Sequence, residues 1–216
     1  MRDGAVVAVD SPGSPGADVL LVSSGMIGQS DWTAALVDSV ELRSLEAALV
    51  SRGLGATEVQ GIAAAAVRDG TFAVAAGDIE RCFVDESVDE PLLPASTGVD
   101  PDVLLTETAL RLDVLASVSP YRDRVVAAAE RSGSTEEERE IIALATGRRN
   151  ARDMAFALGR GLHPVTVAIA GMLGDGLLEI APPDTSFSFS HWGLAALRPR
   201  TGAEFLPHPR PREVEC

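Results

Sequence analysis

The chain contains no lysine; all 18 of its basic residues are arginine. A phosphate-binding loop needs a lysine against the phosphates, and Schiff-base chemistry needs a lysine amine. Both classes are therefore excluded. Cysteine occurs only at Cys82 and Cys216. Two such distant thiols make neither a disulfide framework nor a Cys-x-x-Cys metal knuckle, and a reducing cytoplasm is the simpler compartment. The three histidines, His163, His191 and His208, have no partner at metal-ligand spacing, and no Gly-x-Ser-x-Gly elbow occurs. The opening MRDGAVVAVD is too polar and too short for a signal peptide, and no apolar run reaches the roughly 18 residues that span a bilayer. These absences point to a non-enzymatic, cofactor-free protein with no metal site and no membrane segment. Aromatics make up only 4% of the chain against 46% hydrophobic residues, so the core must be built from Leu, Val, Ile and Ala.

The formal net charge is -14. Residues 1–120 hold 19 acids against 6 arginines, whereas residues 121–216 hold 13 acids against 12 arginines. The acidity thus belongs to the first half, and any contact with a polyanion belongs to the second.

In the first half, Gly4 to Val9 reads as a strand, and Ser11-Pro-Gly-Ser-Pro-Gly16 as a loop. Ala17 to Ser24 is a short apolar stretch, strand or buried helix. A helix beginning at Asp31 places Trp32, Leu36 and Val40 on one face, and Leu42, Leu45 and Leu49 continue its spacing to Gly53. Thr57 and Gln60 suggest a capping box for a helix that stops at Asp69-Gly70. Phe72 and Val74, a turn at Gly77-Asp78, and Cys82 to Val84 then suggest a hairpin. Residues 85–102 are acidic and proline-rich, a solvated loop lacking the glycine and closing glutamate of a calcium site. Asp100-Pro101 opens a long helix with Leu105, Leu112 and Ala116 in register, broken at Ser119-Pro120. Tyr121 to Arg131 reads as a further short helix.

The second half carries the clearest punctuation. Thr135 and Glu138 form a capping box, with Glu136 and Glu137 at the positive end of the helix they open. Asn150 caps a second helix whose inward residues are Met154, Ala155 and Leu158. Gly159 and Gly161 bracket a tight turn, and His163-Pro164 opens a third helix with Val165, Ile169, Met172 and Leu173 at helical spacing. Leu177 to Ile180 and Ser186 to Ser190 are strand candidates joined by Ala-Pro-Pro-Asp-Thr. Helices near 135–146, 150–158 and 164–175 followed by a hairpin are the order of a winged helix-turn-helix, with Ile141, Leu158, Ile169 and Leu173 in one buried cluster. The fold class is α+β: a mostly helical N-terminal domain with short strands over 1–118, a winged helix over 119–197, and a Pro/Arg tail over 198–216 that reads as disordered by composition.

Three stretches of the first half, VVAVDSPGSPGADVLLVSSGMIGQSDWTAAL, AAAAVRDGTFAV and VDPDVLLTETALRLDVLAS, together resemble the PATAN family of bacterial signalling domains. The resemblance covers roughly residues 4–118. It implies a regulatory or protein-interaction module followed by a helix-turn-helix, as in actinobacterial-type regulators, and implies no reaction.

Two functions are compatible with this organisation. In the first, the third helix enters the major groove of double-stranded DNA. His163 and Thr166, with Val167, would then meet base edges, while Arg148, Arg149 and Arg152 would contact phosphates. The competing role for these arginines is ion pairing with Glu136 to Glu140. No arginine lies between Arg160 and Arg198, so the reading helix itself supplies no phosphate contact. In the second, Val167, Ala170, Gly171 and Gly174 give the third helix a smooth uncharged face for a second copy of the chain, as a homodimer, or for a protein partner of a signalling system.

Overall fold

The structure is a computed structural model of the 216-residue chain and describes residues 1–79, 91–128, 133 and 135–182. The fold class is α+β. Residues 1–182 group as one contact unit. The segments read from sequence as Cys82 to Val84, Ser186 to Ser190 and the Pro/Arg tail lie outside the described residues, as do His191 and His208.

The first half is helical. α1 (Ala17–Ser23), α2 (Gln29–Leu42), α3 (Leu45–Ser51), α4 (Ala56–Ala76) and α5 (Pro101–Leu112) follow in order. Ala17 to Ser24 therefore resolves as helix, with Leu20 and Leu21 buried. The leucine spacing from Trp32 to Leu49 does not make one helix. Arg43 turns into the left-handed region, and Ser44 accepts the Ala47 N–H to restart the chain as α3. α5 begins as the sequence indicates, with Asp100 accepting from the Asp102 and Val103 N–H groups and Pro101 in the first turn. Gly4 to Val9 forms no ladder, only the isolated bridges of Ala5 to Arg2 and Val6 to Val99. Gln60, read as a capping residue, instead accepts the Ser96 N–H and donates to Glu46, which fastens the described part of the 85–102 loop.

The largest departure is α4. Asp69-Gly70 reads locally as a stop, yet the helix continues to Ala76, so Phe72 and Val74 are helical and not half of a hairpin. Both residues have tertiary roles that outweigh their turn propensity. Asp69 is buried and bonded to a distant helix. A methyl at Gly70 would lie 3.0 Å from both the Val9 side chain and the Val9 carbonyl, so a larger residue would have to push Val9 away and glycine suits this close approach.

The second half runs β1 (Arg124–Ala127), α6 (Glu136–Leu144), β2 (Thr146–Asn150), α7 (Ala151–Leu158), α8 (Leu162–Gly174) and β3 (Leu178–Ile180). The capping box opens α6, with Glu138 N–H on the Thr135 hydroxyl and Thr135 N–H on the Glu138 carboxylate. Asn150 accepts the Asp153 N–H and caps α7. The three strands form an antiparallel sheet in the order β2-β1-β3. Tyr121 to Arg131 is therefore not a helix where it is described. Its Arg-Val-Val-Ala core is the central strand, with Val125 fully buried. The Leu-Glu-Ile strand pairs with β1, Val125 opposite Ile180 and Ala127 opposite Leu178.

The halves share a core. Phe72 and Ala73 of α4 belong to the same buried cluster as Val118, Val125, Ile141, Met154 and Ile169. Leu158 and Leu173 pack against that cluster while remaining partly accessible. The position near 118 where composition changes is not a break in packing.

Candidate interaction site

α7 and α8 are joined by Gly159–Gly161 and bent at 120°, the geometry of a helix-turn-helix. Gly159 adopts the left-handed conformation (φ 61°) that ends α7, and a side chain there would run into Ser23 of α1. The turn is thus seated against the first half.

The start of α8 is seated there too. A helix begins with N–H groups that have no partner inside it, and Gly161 offers no side chain to cap them. The carboxylate of Asp69, projecting from α4, accepts the N–H of Leu162 and, at 2.8 Å, that of His163. Burial pushes the Asp69 carboxyl above its usual range, against the opposing pull of those two N–H groups and of Arg111. Next to this cap the His163 ring meets Phe72 edge-on, centroids 5.0 Å apart. Burial, and secondly the charge of Arg111, hold the His163 imidazole below its ordinary value of 6.5.

That shift sets a pH dependence. Because His163 is depressed in the folded state, the unfolded chain binds more protons just below 6.5. The stability it contributes is present above that pH and is lost as pH falls through the folded value. Asp69 has the opposite sign: its contribution is present below the usual 3.8 and is lost as pH rises through the raised value. His163→Phe keeps an aromatic ring against Phe72 and cannot be protonated. Its urea midpoint is expected to fall less than that of wild type between pH 7 and pH 5, and parallel curves would contradict the assignment.

The sequence-derived site residues fall into three groups. Thr166, expected at a groove, is fully buried and its hydroxyl donates to the Leu162 carbonyl at 2.7 Å. Together with half-buried His163, it turns much of the start of α8 toward the protein, while Pro164 stays exposed. Arg152 donates to the Pro12 carbonyl at 2.9 Å, stacks 5.4 Å above the Phe156 ring and pairs with Asp153. Arg148 and Arg149, on the edge strand β2, are exposed and make no hydrogen bond or ion pair among the described residues. The pairing imagined for them is made by Arg160, at 3.4 Å from Glu137 and 2.6 Å from Glu140. On the opposite side, Val167 is 45% exposed, Gly171 and Gly174 face open space, and Ala170 is partly covered. This strip of α8 carries no charge.

Sequence reasoning missed Asp69, Arg111 and Tyr121, whose hydroxyl donates to the Ala73 carbonyl at 2.6 Å while its own carbonyl accepts from Asn150. The available signal for Asp69 was indirect: an apolar helix opened by Gly161-Leu162 has no local cap, so an acceptor had to come from elsewhere. Among the described residues no three His, Cys, Asp or Glu side chains converge as a metal site. No single helix there is long and apolar enough to cross a membrane. No family model, curated protein or solved structure matches the chain.

Proposed function

We propose that this chain is a non-enzymatic regulatory protein of a bacterial signalling system, working in the cytoplasm. Its helix-turn-helix half serves as a protein-interaction and homodimerisation module. The resemblance of residues 4–118 to PATAN supplies the signalling context. The observation that carries the choice is the docking of the α8 N-terminus on α4. Reading a major groove uses the N-terminal residues of the recognition helix. Here Asp69 covers the Leu162 and His163 N–H groups and Thr166 is buried. The uncharged strip of Val167, Ala170, Gly171 and Gly174 is what α8 presents outward, and apolar surface of this kind is suited to a partner helix.

The second reading, a regulator bound to double-stranded DNA, keeps one observation in its favour: Arg148 and Arg149 stand exposed on an edge strand. The two readings separate in one set of measurements on the full chain. Sedimentation of wild type should show a dimer, and Gly171→Glu should shift it to monomer. Titration with random duplex at low salt should show no saturable binding. Saturable duplex binding would reverse the choice if Arg148→Ala with Arg149→Ala flattens its salt dependence. Each lost phosphate contact removes about 0.9 from the slope of log affinity against log salt.

A further inference from the structure

A cleft of about 430 Å³ opens between α1, α4, α5 and the α7–α8 turn. That is within the size range of small-ligand sites. Leu20, Met26, Ile62 and Pro164 give it apolar walls. Gly61, in the second turn of α4, also lines it. Glycine is the least favourable residue for a helix interior after proline, and a side chain at Gly61 would meet nothing within 4 Å. The space beside it is the cleft.

Three guanidinium groups line this space, and two are committed. Arg68 pairs with Glu107 at 2.9 Å, and Arg160 pairs with Glu137 and Glu140. Arg111 is half-buried and has no hydrogen bond or ion pair among the described residues. Its acidic neighbour Asp69 is occupied at both oxygens by the Leu162 and His163 N–H groups. A half-buried cation at the edge of apolar walls is recognised by one negative charge on an apolar body. A phosphate dianion would bring a second charge against Asp69, Glu107 and Glu140 with no second free guanidinium, so a single carboxylate is the better match.

We propose that this cleft is an effector site for a small amphipathic monocarboxylate, with Arg111 binding the carboxylate and the Leu20, Ile62 and Pro164 walls holding the chain. Because Pro164 and Asp69 line the same cleft, the ligand bears directly on the seating of α8. Ligand binding at this cleft is independent of the partner-docking role of α8, since it is read on the protein alone.

Calorimetric titration of the full chain with decanoate tests it, with methyl decanoate as the uncharged control. Saturable decanoate binding at one site is expected, at least tenfold tighter than the ester. Arg111→Gln should weaken decanoate about tenfold or more, the scale of one charge-assisted hydrogen bond, and leave the ester unaffected. Gly61→Leu should fill the cleft and abolish both. Bound decanoate should also slow hydrogen exchange of the Leu162 and His163 amides. No saturable binding, equal affinity for acid and ester, or undiminished binding by Arg111→Gln would each overturn the site. Binding with unchanged exchange at 162 and 163 would overturn its effector role.

Discussion

Replacing Phe72 with alanine is expected to lower the unfolding free energy by about 3–5 kcal/mol, the cost of deleting a buried aromatic side chain. Phe72 is fully buried, and it sits where the long helix of the first half enters the cluster built by β1, α6, α7 and α8. Its neighbours do not collapse easily into the space it would leave. Val125 is pinned in the central strand, Ile141 follows a capped first turn, and Ile169 lies mid-helix behind the Asp69 cap. The His163 ring would also lose its edge-on partner, a contact of about 0.5–1.5 kcal/mol beyond area. Urea denaturation followed by far-ultraviolet circular dichroism checks this. The shared core predicts one cooperative transition displaced as a whole. A cost below about 1 kcal/mol, typical of positions outside a core, would mean that the two halves do not depend on each other through this residue.

Much of the second half is legible in its residues because its signals are local. The Thr135–Glu138 box, the Asn150 cap and the left-handed Gly159 each act within four residues, and the structure uses each as its neighbours dictate. Two other features depend on residues far away. β1 is only Arg-Val-Val-Ala, and what makes it the central strand is pairing with Thr146–Asn150 on one side and Leu178–Ile180 on the other. Alternation over four residues cannot announce this beside an alanine-rich continuation that suits a helix. Asp69-Gly70 fails in the opposite direction. The pair is a turn signal in isolation, yet one member caps α8 and the other admits Val9. The face of α8 is a third case. Leu162 to Gly174 is apolar nearly all round, so periodicity gives little reason to turn Thr166 inward and Val167 outward. The interior position of Thr166 follows from its hydroxyl finding the Leu162 carbonyl one turn back, which lets a small polar side chain enter the core.

Asp69→Ala is the second change with a large expected effect, about 2–4 kcal/mol. It removes a helix cap, worth about 0.5–2 kcal/mol, and it strands the Leu162 N–H in a buried site. An unsatisfied buried donor costs a further 1–3 kcal/mol or so. Leu162 is fully buried, and the carboxylate it donates to holds α4 against the start of α8. Some of the loss is offset, because the variant no longer holds a desolvated negative charge, the cause of the raised Asp69 carboxyl. Asp69→Asn keeps one acceptor oxygen and turns an amide nitrogen toward the second N–H, so its cost should fall between wild type and Ala. Native-state hydrogen exchange adds a local readout that stability alone would not give. In Asp69→Ala the Leu162 and His163 amides should lose protection by more than the Ile169 amide, whose bond lies inside α8. A uniform loss across α8 would mean that Asp69 stabilises the fold without holding this helix end in place. Unchanged protection at 162 and 163 would mean that the carboxylate is not their acceptor in solution.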